Sequence, residues 1–312
     1  MAGQVWQANA LGGYMWAPNL SRKLRTALQP MVRFRQFCDA REAFGLGKGE
    51  LFNWNVYLDV EDEGGELNET DTMPETNMTI VQQSLTITEY GNSVPFTKKL
   101  DDLSEHPVTE VIHKVLKNDA RKVLDAAAYA QFDNTQLRVT PVGGNNPQAL
   151  DLADNGVAPG TNNIAFGNLH AKTVADIMVE REIPTFDGNN YFALSRPTTV
   201  RDFKDDLELI HQYVSEGWHV IMNGEKGRYE GIRFTEQTNV AAAGWSNQLS
   251  DEIFFFGADT VVEAFAIPEE IRGKIPTDFG RSRGIAWYAE LGYGISHTTE
   301  SQSRIVKWDS QG

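Results

Sequence analysis

Cysteine occurs once in the 312 residues, at Cys38. A lone thiol excludes a disulfide within the chain and points to a reducing compartment. No apolar run is long enough to cross a bilayer. The opening MAGQVWQANALGGYMW also lacks a basic n-region and an apolar h-region, so neither a membrane contact nor a signal peptide is expected. Positive charge is scarce. Lys and Arg number 28 against 43 Asp and Glu, a net of −15, which argues against a dedicated nucleic-acid binder. The six histidines are scattered, with no HExxH and no pair at metal-ligand spacing, so no metal site and no cofactor are expected.

Motifs that imitate catalytic signatures fail on context. Gly280-Arg281-Ser282-Arg283-Gly284 has the spacing of a nucleophile elbow, but a strand-like run follows where a helix is required. It reads as a turn. Asp59-x-Glu61-x-Glu63-Gly64 copies half of a calcium loop, yet Thr70 stands where a bidentate glutamate is needed. Gly45-Leu46-Gly47-Lys48-Gly49 has no Ser or Thr after the lysine and no strand before it. No catalytic residue is assigned.

What the chain does have is one long amphipathic stretch, Ser104 to about Asn134. Apolar residues recur there at helical spacing over roughly seven turns, with Val111, Val115, Leu124 and Ala128 expected in its core stripe. Ser104 is the expected N-cap, with Pro107 in the first turn. Before it, LFNWNVYLDV (51–60) and TIVQQSLTIT (79–88) read as two strands of a long hairpin around an acidic, Gly-containing tip. Tyr90-Gly91-Asn92 reads as a turn. After the helix, short strands and helices alternate irregularly, including Leu169–Glu182, Thr199–Tyr213, YFAL (191–194), EIFFF (252–256), GIAWYAELGYGISH (284–297) and RIVKW (304–308). The fold class expected is α+β.

Charge is segregated along the chain. Residues 1–50 carry a net of +4, whereas residues 51–97 hold nine acids and no base. A two-stranded hairpin is marginal alone in water. A basic arm followed by an acidic hairpin therefore suggests self-association, with Glu61, Glu63 and Glu66 of one subunit meeting Arg22, Arg25 and Arg33 of another.

The order of arm, acidic hairpin, long helix and mixed lobe resembles the major capsid proteins of tailed bacteriophages, the Hong Kong 97-type fold. The wording resembles that family too: Glu66-Leu67-Asn68-Glu69-Thr70 in the loop, Glu89-Tyr90-Gly91-Asn92 before Phe96-Thr97-Lys98-Lys99-Leu100, and Tyr191-Phe192-Ala193-Leu194 before Arg201-Asp202-Phe203. Gly224-Glu225-Lys226-Gly227, Tyr229-Glu230-Gly231-Ile232-Arg233-Phe234, Ala286-Trp287-Tyr288 and Gly292-Tyr293-Gly294-Ile295 continue the pattern. The resemblance spans about residues 40–312. It implies an N-terminal arm (1–48), an extended loop (49–98), a peripheral domain with a spine helix (99–164), an axial domain (165–262) and a return to the peripheral domain (263–312). It further implies a structural, non-enzymatic protein found in the virion and assembled in the host cytoplasm. Homo-hexamers and homo-pentamers would form an icosahedral shell around double-stranded DNA, which is touched nonspecifically, with cement, scaffolding and portal proteins as further partners. The alternatives are an encapsulin-like cargo shell and, from a different class, a carboxylate-based hydrolase.

Overall fold

The computed structural model describes residues 28–38, 40–43, 45–60, 64–69, 72–142, 150–159, 164–205, 228–239 and 252–309. Two sheets and a separate ribbon surround one long helix. The strands are β1 (Ala40–Ala43), β2 (Leu51–Val60), β3 (Met78–Thr86), β4 (Thr88–Thr97), β5 (Leu137–Pro141), β6 (Leu150–Ala153) and β7 (Tyr191–Ser195). They continue with β8 (Arg228–Tyr229), β9 (Ile232–Glu236), β10 (Ile253–Phe256), β11 (Val261–Gly273), β12 (Ser282–Ile295) and β13 (Ile305–Trp308). The helices are α1 (Lys98–Leu103), α2 (Val108–Asp133) and α3 (Asn168–Glu180). One sheet runs β1-β11-β12-β4, the other β6-β5-β13-β10-β7-β9-β8, and among the described residues β2 pairs only with β3. The class is α+β.

The 26 residues of α2 make a rod on the order of 40 Å long. Its cap is not Ser104. That residue ends α1, and its hydroxyl donates to the His106 carbonyl at 2.7 Å. The helix instead starts after Pro107, at φ −66°, where a missing N–H removes no helical bond. The buried hydrophobic row is Val108, Ile112, Leu116, Ala120, Leu124, Ala128 and Phe132, a strict four-residue repeat. Each such step turns about 40° past a full turn, so the row winds roughly 240° around the helix. This winding lets α2 lie on the β4–β12 sheet through Phe96, Trp287 and Leu291 and also reach Phe254 and Phe256 of the second sheet.

The same winding corrects two expected core positions. Val111 is half-buried and Val115 is 54 % exposed, because each sits about a quarter-turn to one side of the row. Leu124 and Ala128, on the row, are buried.

Central strand β10 explains the EIFFF run. Phe254 and Phe256 face the α2 core, while Ile253 and Phe255 face a second core with Met178 of α3, Phe166 and Trp308. Both faces of this strand are covered, so period-2 alternation puts apolar side chains on each.

Tyr90-Gly91-Asn92 is not a turn. It lies inside β4, which pairs with β12 from Thr88 to Thr97. Gly91 is needed there for clearance, since a Cβ would come 2.9 Å from the Trp287 carbonyl oxygen. Of the helix expected over 199–213, residues 201–205 are helical and residues 206–213 lie outside the described residues.

Candidate assembly surface

The β2–β3 ribbon is rooted on β12 and exposed beyond it. In-register pairs run from Leu51↔Thr86 to Tyr57↔Ile80, with an irregularity before Val60↔Met78. At the root, Leu85 is buried on Val262 and Ala264, beside Phe52, Trp54 and Ile87. The Trp54 indole N–H donates to the Ser296 carbonyl at 3.0 Å, and the Thr298 hydroxyl donates to Gln83 Oε1 at 2.6 Å. The ribbon backbone rests directly on Gly292, where a Cβ would stand 2.4 Å from the Thr86 carbonyl oxygen. The glycines of Gly292-Tyr293-Gly294 thus mark the seat of the hairpin, a role the sequence pattern did not reveal.

Beyond the root, burial vanishes. Tyr57 and Ile80 form an exposed cross-strand pair, as do Val60 and Met78, and residues 64–69 and 72–80 are all exposed. None of the described residues of the tip is buried. A second projection is the turn joining β11 to β12, where Ile275 is 83 % exposed and Phe279 fully so. Asp278 and Phe279 hold φ of 56° and 52°, in the sparsely populated left-handed region.

The residues expected to meet across subunits separate as follows. Glu61, Glu63, Arg22 and Arg25 lie outside the described residues. Glu66 is exposed at the tip and Arg33 is half-buried where the arm enters, and no described ion pair joins them. Arg35 of the arm bonds inside the subunit, pairing with Glu263 at 2.7 Å and Glu269 at 2.5 Å. Burial opposes the charge on its guanidinium, but hydrogen bonds to Glu269 and Glu263 overcome this and hold its pKa above the usual value.

Asp125, one position past Leu124, also anchors the arm. Its carboxylate accepts from the Arg35 backbone N–H at 3.1 Å and from the Gln237 and Asn239 side chains at 2.9 Å. Burial pushes its pKa up against those donors. The arm, the long helix and the loop after β9 therefore converge on one carboxylate. The signal was an acid placed i−3 from the buried Ala128, next to the apolar row. At the ribbon's root, Asp259 takes hydrogen bonds from His297 Nε2 at 3.0 Å and the Ser296 hydroxyl at 3.1 Å, with Arg304 at 3.1 Å. The His297 hydrogen bond leads these in holding the Asp259 pKa below its usual value despite partial burial.

Gly280 opens the turn of the elbow-like motif at φ 85°, and Ser282 begins β12, its hydroxyl accepting from Lys274 Nζ at 2.9 Å. The surroundings are those of a β-turn.

Solved structures share this architecture over nearly the whole chain. The capsid of cyanophage P-SCSP1u superposes with a TM-score of 0.70 at 9 % identity, covering 94 % of this chain and 92 % of that one. The chain has the fold of phage capsid subunits. The cyanophage Pam1 capsid gives 0.68 at 14 % identity over 96 % and 97 % of the two chains. The head of Helicobacter pylori bacteriophage KHP40 gives 0.67 at 12 % over 94 % and 95 %. No family model and no curated protein matches the sequence. The shared architecture is thus found at low sequence identity.

Proposed function

We propose that this chain is the major capsid protein of a tailed bacteriophage, a structural protein without a catalytic role. In this reading, copies form hexamers and pentamers of an icosahedral shell enclosing double-stranded DNA, located in the virion and assembled in the host cytoplasm. One observation carries it: a capsid-type fold over nearly the whole chain, with a long hairpin whose described tip residues are all exposed. The segments take the roles of arm (1–48), extended loop (49–98), peripheral domain (99–164), axial domain (165–262) and return (263–312). Residues 88–97 pair with β12, so the free part of the extended loop is the β2–β3 ribbon. Acids at its tip (Glu61, Glu63, Glu66) approach a neighbour's arm bases (Arg22, Arg25, Arg33). DNA is met nonspecifically through arm bases, and scaffolding, cement and portal proteins are the further partners.

Negative-stain microscopy of the expressed protein, with light scattering, tests this. Closed particles or capsomers are expected. A monodisperse monomer at every concentration would refute the proposal, and closed shells loaded with a protein cargo would redirect it to a cargo container.

A further inference from the structure

The arm enters the subunit over residues 31–37, where three sets of contacts hold it. Phe34 is fully buried against the rings of Tyr129, Phe132 and Phe254, and Phe37 packs on Phe186, Phe192 and Phe256. Arg35 reaches Glu263 and Glu269 of β11. The third set is polar and leads to another part of the chain, the loop at 237–239 that follows β9.

Two links join the arm to that loop. One is direct: the Met31 N–H donates to the Thr238 hydroxyl at 2.8 Å, and the Thr238 N–H donates to the Met31 carbonyl at 3.4 Å. Thr238 is exposed, so water can replace both bonds at little cost. The other link runs through Asp125 of α2, which is 2 % exposed. Its two oxygens divide between the two segments. Oδ1 accepts from the Arg35 N–H at 3.1 Å, and the Phe34 N–H bonds the same carboxylate. Oδ2 accepts from Gln237 Nε2 and Asn239 Nδ2, each at 2.9 Å.

Hydrogen bonds to a charged acceptor are stronger than neutral ones, and a buried carboxylate stripped of donors is costly. If the arm withdraws, Oδ1 loses its donors away from water. The carboxylate regains donors only by turning, which breaks its bonds to Gln237 and Asn239. Gln237 cannot absorb that loss in place. It is fully buried, and its Oε1 already lacks a hydrogen-bond partner. Its Nε2 avoids the same fate only if the loop itself moves. In reverse, a loop that leaves turns the carboxylate away from the arm.

We infer that Asp125 is a two-sided latch between the arm and the loop after β9, so that residues 31–35 and 237–239 are held together or released together. Such coupling is reciprocal by thermodynamic necessity. In the shell reading the latch relays a change at the arm to the axial domain. The coupling itself lies within one subunit and stands or falls separately from that reading.

Hydrogen exchange of the full chain, resolved to single amides, tests the latch. The arm is read at the Arg35 amide. The loop is read at the Gln237 amide, whose bond at 2.8 Å goes to the Ser195 carbonyl of β7 and not to the arm. Phe34→Leu loosens the arm side and Asn239→Ala the loop side. Phe34→Leu should speed exchange at Gln237, and Asn239→Ala should speed it at Arg35, each roughly tenfold, with protection in the first half of α2 unchanged. Asp125→Asn keeps the side chain's size but offers a single acceptor oxygen. In that chain one segment should keep its protection, the other should lose it, and both cross-effects should vanish. Substitutions that speed exchange only on their own side would overturn the latch and leave Asp125 as two independent anchors. Cross-effects that persist in Asp125→Asn would overturn it in favour of the direct Met31–Thr238 bridge. The two single variants decide the coupling by themselves if Asp125→Asn does not fold.

Discussion

Leu124 is 1 % exposed between α2 and the sheet, whereas Val115 on the same helix is 54 % exposed. Leu124→Ala is expected to cost about 2–5 kcal/mol through lost burial and the cavity left behind. Val115→Ala is expected to cost under about 0.5 kcal/mol in the isolated subunit. Paired thermal melts of the two variants check this, and equal shifts would mean that the buried row does not wind as described. Asp259 gives a pH-dependent counterpart. Its folded pKa lies below the ordinary value of 3.8, so its contribution is complete above that value and is lost as pH falls through the depressed one. Asp259→Asn should be less stable than the parent near neutrality, with the gap closing as pH drops below about 4. Asparagine tolerates the left-handed backbone at this position, φ 54°, so the comparison isolates the carboxylate. A gap that stayed constant through acid would remove Asp259 as the cause.

Among the elements, the ribbon is seated on the body only at its root among the described residues. It touches the body through Leu85, Trp54 and the backbone over Gly292, and the described residues 64–69 and 72–80 of its outer half are all exposed. Gly292→Ala places a methyl group 2.4 Å from the Thr86 carbonyl oxygen, a backbone atom that cannot rotate away. The expected result is a lifted or reoriented ribbon with the helix core retained. Hydrogen exchange should show protection lost in β2 and β3 and kept in α2. Protection lost evenly throughout the subunit would mean that the ribbon is integral to the core instead of seated upon it.

For the whole molecule, the charge segregation predicts that the proposed assembly is sensitive to ionic strength. Residues 51–97 carry nine acids and no base, opposite a net +4 over residues 1–50. Exposed pairs are screened over a Debye length of roughly 8 Å at physiological salt. Raising salt should therefore slow or reverse assembly of the parent, while the subunit's melting temperature moves little. Light scattering across a salt series checks this, and assembly that strengthened steadily with salt would show that apolar contacts dominate the interface.

The sequence by itself determined the elements whose periodicity is local. The hairpin strands, the long helix, the two-faced EIFFF strand and the closing strands follow from alternation or helical spacing over consecutive residues, and the acidic tip follows from composition. Position along the chain could not decide what each face meets. A straight stripe would have buried Val115, but α2 contacts two sheets in succession, so its row winds and leaves Val115 outside. Gly91 resembled a turn residue because glycine permits turns, yet it serves close packing against Trp287. Arg35, Asp125 and the seat at Gly292 depend on partners 90 to more than 200 residues away. Such contacts carry no local signature, so only the tertiary structure, by bringing the arm, the helix and the last long strand together, decided them.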